Sequence, residues 1–247
     1  MVRVERGIAP AGFVELTAGL RAEWDTAFVL DGLSISKFCG TVRHRLRDAA
    51  AALALRNHGK CAFCESVPGA TASLQIEHYR PKSEFAGVAF EWSNWLPACP
   101  LCNTKKSTRF PVCGADPCLV DPASEEPTEF IGFKDDLATG LVQRGEETIS
   151  LVALNRDQLQ AERRAHLEQL KRYTVFLLSD DPTVKDLARE FLIRSAQPSR
   201  RYSAMSKQYL RDRLPGLVDV LPQDPFDLDA CLEALIEIPG GTLPESQ

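Results

Sequence analysis

Two C-x-x-C pairs, Cys61/Cys64 and Cys99/Cys102, lie in a chain of 247 residues with 34 residues between them. Four thiolates so spaced supply the soft tetrahedral ligand set of a structural zinc ion, and a metal held by both pairs fixes the two ends of everything between them. The alternative for either pair alone is a redox dithiol. Such a dithiol is expected beside a strand-helix-strand pattern, whereas here a second pair follows and the intervening segment is polar. The gap exceeds that of a compact zinc ribbon, so a small structural element must be inserted between the knuckles.

That insert carries the chemistry. Leu74-Gln75-Ile76-Glu77-His78-Tyr79 alternates apolar with polar residues and predicts a half-exposed strand. Glu77 and His78 point to opposite faces of a regular strand, so both serve one site only if the strand bends or ends there. Pro81, which has no N–H for a sheet ladder, gives it a reason to end. Phe90 to Leu96 reads as a second, aromatic-rich extended or turn segment, and Asn103-Thr104-Lys105-Lys106-Ser107 as a short helix leaving the second knuckle.

Phosphodiester hydrolysis at neutral pH needs a base for water, a cation for the phosphate and the leaving oxygen, and donors for the non-bridging oxygens. His78 suits the first role, because an unperturbed imidazole titrates near operating pH. Glu77 and Asn103 offer hard oxygen ligands for Mg2+ or Mn2+. Arg80, Lys82, Lys105, Lys106 and Arg109 supply a positive field for nucleic acid. All of these fall in the 52-residue window from Lys60 to Pro111. Each has a plainer reading: a single histidine packs, lysines solvate a helix, and Trp92 and Trp95 pack the insert rather than stack on bases.

The flanks read as helical. After Ser34-Ile35-Ser36, the residues Phe38, Val42, Leu46, Ala49 and Leu53 form one apolar stripe, and Asn57-His58-Gly59 stops it. Residues 113–146 read as a connector, with Pro117, Pro122 and Pro127 breaking helices and a β-hairpin over Phe130 to Val142. From Glu147 the chain is helical again. Asn155 and Gln158 resemble a capping box before a long helix with Leu159, Leu167, Leu170, Thr174 and Leu177 on its buried face. Further helices are expected near 183–195, 200–213 and 227–237. The fold class expected is α+β, mostly helical: an N-terminal helical region (1–59), a metal finger (60–112), the connector (113–146) and a C-terminal helical region (147–247).

The net charge of −5 does not by itself favour a nucleic-acid partner. Its distribution does: eight acids against Arg213 lie from Asp212 to Gln247, so the rest of the chain is mildly basic. No stretch is long and apolar enough to span a membrane, the N-terminus lacks a signal-peptide core, and thiolate ligands suit a reducing compartment, so the expected location is cytoplasmic. Cys39, Cys113, Cys118 and Cys231 show no disulfide framework. Cys113 and Cys118 read as ordinary loop thiols, with substitution as zinc ligands the alternative.

The motif resembles a known family. C-x-x-C, Glu77-His78-Tyr79-Arg80-Pro81-Lys82, Asn94 and C-x-x-C-Asn103 with Lys105 and Lys106 look like the HNH endonucleases of the zinc-knuckle type, whose core is a ββα-metal finger. The resemblance implies His78 as general base, Glu77 and Asn103 as ligands of one catalytic divalent ion, and Asn94 as a brace for the loop between the strands. Glu77 departs from the commoner Asp. The longer pattern, with Glu91-Trp92-Ser93-Asn94-Trp95, Phe110-Pro111 and Leu154-Asn155-Arg156-x-x-Leu159, is similar to HNH subunits of bacterial Septu-type and retron-associated defence systems. That similarity implies an ABC-type ATPase partner and an anti-phage role. A non-catalytic zinc-binding module for nucleic acid or protein is the competing function.

Overall fold

Ser34 caps a helix in the computed structural model, which describes residues 1–69 and 72–215. Its hydroxyl accepts from the Lys37 amide, satisfying one of the orphan donors at a helix start. That helix, α2 (Ile35–Val42), follows α1 (Phe13–Asp31) and runs through one 3-10 turn into α3 (Arg47–Arg56). The expected stripe is realised across the turn: Phe38, Val42, Leu46, Ala49 and Leu53 are all buried, together with Phe13 and Leu20 of α1.

The finger grows out of this core. Strand β1 (Gln75–His78) pairs antiparallel with β2 (Trp95–Ala98), Glu77 opposite Leu96 and His78 opposite Trp95. The chain then turns at Cys99 into α4 (Pro100–Lys106), completing a ββα unit. Trp95, Ala89 and Phe90 are buried in the same cluster as the helices, and the Phe13 and Trp95 rings meet edge-on at 5.1 Å. Burying side chains of this size against a helical core stabilises by roughly 1.5–3 kcal/mol each. Trp95 therefore packs the finger, with Trp92 partly buried against the same cluster.

Beyond the finger come a short pair, β3 (Val112–Cys113) with β4 (Asp116–Pro117), and a hairpin, β5 (Ile131–Lys134) with β6 (Leu137–Gly140). The first pair is closed by a disulfide between Cys113 and Cys118. This corrects the reading of those residues as loop thiols: the antiparallel turn between them brings their Cα atoms to 4.9 Å, inside disulfide range. Helix α5 (Gln143–Leu151) packs closely on the hairpin at Gly145, where an added Cβ would lie 1.9 Å from the Phe130 carbonyl oxygen.

The chain divides into two compact units, one of residues Met1–Ala161 and one beginning at Glu162, inside α6 (Asp157–Phe176). In the second unit α7 (Pro182–Ser195) and α8 (Ser203–Arg213) pack together, with Asp181 capping α7 through the Thr183 amide. His166 of α6 meets the Ser206 hydroxyl at 2.8 Å. The helix expected near 227–237, Cys231 and most of the acidic C-terminal segment lie outside the described residues. No helix among the described residues is long and apolar enough to cross a membrane.

Candidate metal and nuclease site

The four cysteines converge. Their sulfurs lie within 4.8 Å of one another, and all four residues are buried. Tetrahedral zinc with bonds near 2.3 Å requires ligand sulfurs about 3.8 Å apart, and Cys64 and Cys99 are at 3.8 Å. The donor set and spacing fit a structural zinc. Hydrogen bonds from the Cys102, Cys61 and Cys99 thiols hold the Cys64 thiol well below its ordinary range, so the cluster already favours thiolate there. Pro at the first position of α4 and the Cys99 sulfur accepting from the Cys102 amide make the second knuckle a helix N-terminus. At the first knuckle Glu65 adopts a left-handed backbone (φ 61) and pairs with the Met1 amine at 3.0 Å and with Lys60 at 3.5 Å.

His78 ends β1, and both its neighbours along the chain are buried. Its Nε2 lies 2.9 Å from the Ala89 carbonyl oxygen. A carbonyl only accepts, so Nε2 carries the proton and Nδ1 keeps its lone pair. The same oxygen accepts from the Trp95 indole N–H at 2.9 Å, which uses both of its lone pairs and fixes its place. Burial, reinforced by the Lys82 charge, pushes the His78 pKa down to about 3, so the imidazole is neutral at physiological pH.

Glu77 faces the other way, toward α4. Its Oε1 accepts from Lys106 Nζ at 2.5 Å, and the same ammonium donates to the His78 carbonyl at 2.9 Å. Lys106, expected on the phosphate-facing surface, has no solvent exposure at all. The reason is geometric: Glu77 stands on the face of β1 that α4 covers, and a buried carboxylate requires a partner. Burial raises the Glu77 pKa, while Lys106 opposes the shift. Asn103, one turn earlier on α4, donates from Nδ2 to Gln75 Oε1 at 2.7 Å, which leaves its Oδ1 as the acceptor.

Asn94 links both ends of the loop between the strands. Its Oδ1 accepts from the Arg80 amide at 2.8 Å, and its Nδ2 donates to the carbonyls of Arg80 (3.0 Å) and Val88 (3.2 Å). Arg80 is exposed, its guanidinium over the rings of Phe85 and Phe110. Lys82 is half-buried and close enough to act on both Glu77 and His78. Lys105 is exposed. Arg109 is exposed too, yet its guanidinium donates to the carbonyls of Lys105 and Leu151, so it binds the finger to α5. A cavity of ≈ 290 Å³ opens beside Tyr79, Arg80 and Asn94, with Asp116, Glu125 and Arg144 on its wall.

The structure thus brings Gln75, Glu77, Asn103 and Lys106 to one face of β1 and His78 to the other. Among the described residues the side chains of Glu77, His78 and Asn103 each hydrogen-bond a different partner, and none bonds another. The sequence reading missed three contributors. The Ala89 carbonyl has no sequence signal, being backbone. Gln75 had one, its i, i+2 relation to Glu77. Arg156, whose Nη1 lies 3.6 Å from Cys102 Sγ, was visible only as part of a longer pattern.

The ββα finger, with a four-cysteine cluster at its base and a histidine closing its first strand, lies where the chain matches a known family. Residues 61–109 match the HNH endonuclease family, and this segment of the chain is an HNH domain. Over a greater length the chain is similar to the Septu protein PtuB of Bacillus mycoides (strain KBAB4), with 27% identity over 234 residues, covering 76% of this chain and 75% of that protein. The Septu protein PtuB of Bacillus thuringiensis is 28% identical over 105 residues, 42% of this chain and 40% of that one. The mixed, mainly helical architecture agrees with the fold class expected from the sequence.

Proposed function

We propose that this chain is a metal-dependent endonuclease that hydrolyses phosphodiester bonds of nucleic acid, DNA or an RNA such as tRNA. In this reading it is the effector nuclease of a bacterial, cytoplasmic anti-phage system and works beside an ABC-type ATPase. The observation that carries the catalytic part is the His78 Nε2 to Ala89 carbonyl contact of 2.9 Å, which turns the basic Nδ1 away from the donor side. His78 takes the proton of the attacking water at Nδ1. Burial is the main cause of the low His78 pKa; an incoming phosphate would bring negative charge that offsets Lys82 and raise it.

Glu77 and the Asn103 Oδ1 would hold a divalent cation, Mg2+ or Mn2+, since both are hard oxygens on the α4 side of β1. A bound ion of this kind supplies positive charge to the phosphate and to the departing 3′ oxygen. Arg80, Lys82 and Lys105 position the backbone, which gives grip without base choice. Asn94 keeps the loop that carries Arg80 and the Ala89 carbonyl in one conformation. The four cysteines hold zinc and do not react.

One observation favours a second reading, a zinc-dependent binding module without catalysis: the Glu77 carboxylate is already paired with Lys106. The two are separated by a panel of duplex DNA, single-stranded DNA and tRNA, with and without Mg2+ or Mn2+, and with and without an ABC-type ATPase as the proposed partner. Wild type should cleave at least one substrate, and His78→Ala should lose cleavage with zinc content unchanged. Equal cleavage by both proteins would refute the role given to His78, and no cleavage under any condition with nucleic acid still bound would favour the binding module. Binding should weaken as salt rises.

A further inference from the structure

Leu154-Asn155-Arg156-x-x-Leu159 lies beyond the HNH segment, and its four side chains divide the labour. Leu154 and Leu159 are buried in the core. Asn155 does not cap α6, as the sequence suggested. Its Oδ1 accepts from the Ala138 amide and its Nδ2 donates to the Ala138 carbonyl, both at 2.8 Å, clamping the segment to β6. Arg156 reaches back across the sequence to the metal knuckle, with Nη1 3.6 Å from Cys102 Sγ and 3.2 Å from the carbonyl of Ala153, three residues earlier.

Four thiolates around Zn2+ leave a net charge of about −2 in a buried place, and such a cluster is stabilised by donors and cations aimed at its sulfurs. Cys99 already has one, the Cys102 amide at 3.5 Å. Cys102 has the guanidinium. We propose that Arg156 is the positioning residue of the zinc centre: by donating to Cys102 Sγ it offsets the charge of the tetrathiolate. The proposal rests on the zinc reading of the cluster. It goes beyond that reading by giving the centre a charged partner 54 residues downstream of its last ligand.

The test uses the full chain, loaded with zinc or cobalt, as wild type, Arg156→Met, Arg156→Lys and Asn155→Ala. Zinc affinity is read by competition with a chromogenic chelator and the centre itself by the sulfur-to-cobalt charge-transfer band. Arg156→Met should bind zinc about 10- to 100-fold more weakly, the range for loss of an outer-shell partner. Its charge-transfer band should move to lower energy, because a sulfur relieved of a donor gives up charge more easily, while the ligand-field bands of tetrahedral cobalt stay in place. Arg156→Lys should fall between. Asn155→Ala loosens the same segment without touching a sulfur and should leave affinity and band unchanged. Wild-type affinity and band energy in Arg156→Met, or equal losses in Asn155→Ala, would overturn the proposal. A wild-type chain that binds neither zinc nor cobalt would remove the zinc reading itself, a separate outcome recognisable before any variant is compared.

Discussion

Replacing Lys106 by methionine is the sharpest perturbation of the finger. The change keeps most of the side-chain volume and deletes one charge, so what remains is a Glu77 carboxylate that is 4% exposed with its partner gone. Breaking a buried pair from one side costs about 3–5 kcal/mol, against about 0–1 kcal/mol for a surface bridge. The structure assigns this pair to the buried class, since Lys106 is at 0% and holds the His78 carbonyl as well. With a urea dependence of about 2 kcal/mol per molar, a loss near 4 kcal/mol lowers the midpoint by about 2 M. Tryptophan fluorescence is the right assay: Trp24, Trp92 and Trp95 all lie in the first compact unit, so the transition reports that unit alone. Zinc must be saturating throughout, because a metal bound only to the native state adds its own stability. Burial already holds the Glu77 pKa above its ordinary value, and loss of the opposing ammonium raises it further. Protonation therefore removes the unpaired charge, and the deficit of Lys106→Met should shrink as pH falls. Glu77→Gln combined with Lys106→Met should recover part of the loss. A deficit below about 1 kcal/mol that neither low pH nor the double variant alters would refute the buried-pair argument.

Other consequences are as direct. His78 titrates near 3 in the folded chain and near 6.5 when unfolded; the unfolded chain therefore takes up the proton first as pH falls, and stability is lost from about 6.5 downward. His78→Gln should flatten that slope by up to about 1.4 kcal/mol per pH unit, and parallel unfolding profiles for the two proteins would contradict it. Asn94→Ala removes three hydrogen bonds to the loop and should cost about 2–4 kcal/mol in urea unfolding, with cleavage reduced even where the protein stays folded. Serine at both Cys113 and Cys118 opens a short loop, which on the chain-entropy estimate costs about 2 kcal/mol; zinc content should not change, since neither cysteine belongs to the cluster.

Much of this architecture was legible in the sequence because it rests on local rules. Cysteine spacing announced the metal cluster, period-two alternation gave β1, and the Phe38-to-Leu53 stripe gave the N-terminal helices even though a 3-10 turn interrupts them. The misread residues have their partners far away. Lys106 looked like any helix-end lysine until β1 was placed against α4, and Asn155 resembled a cap until β6 offered it both main-chain groups of Ala138. Cys113 and Cys118 depended on a two-residue strand pair too short to leave a pattern. The oxygen that orients His78 belongs to the main chain and had no letter of its own.

That last point shapes how the site tolerates change. Because the acceptor at Ala89 is a peptide carbonyl, no exchange of a side chain can delete it; only a displaced loop can. Residue 89 is fully enclosed, and the indole of Trp95 grips the same oxygen. Bulk added at that alanine, rather than any change of polarity, is thus the mutation that would swing the imidazole out of alignment, and a search for inactivating lesions should include this chemically inert position.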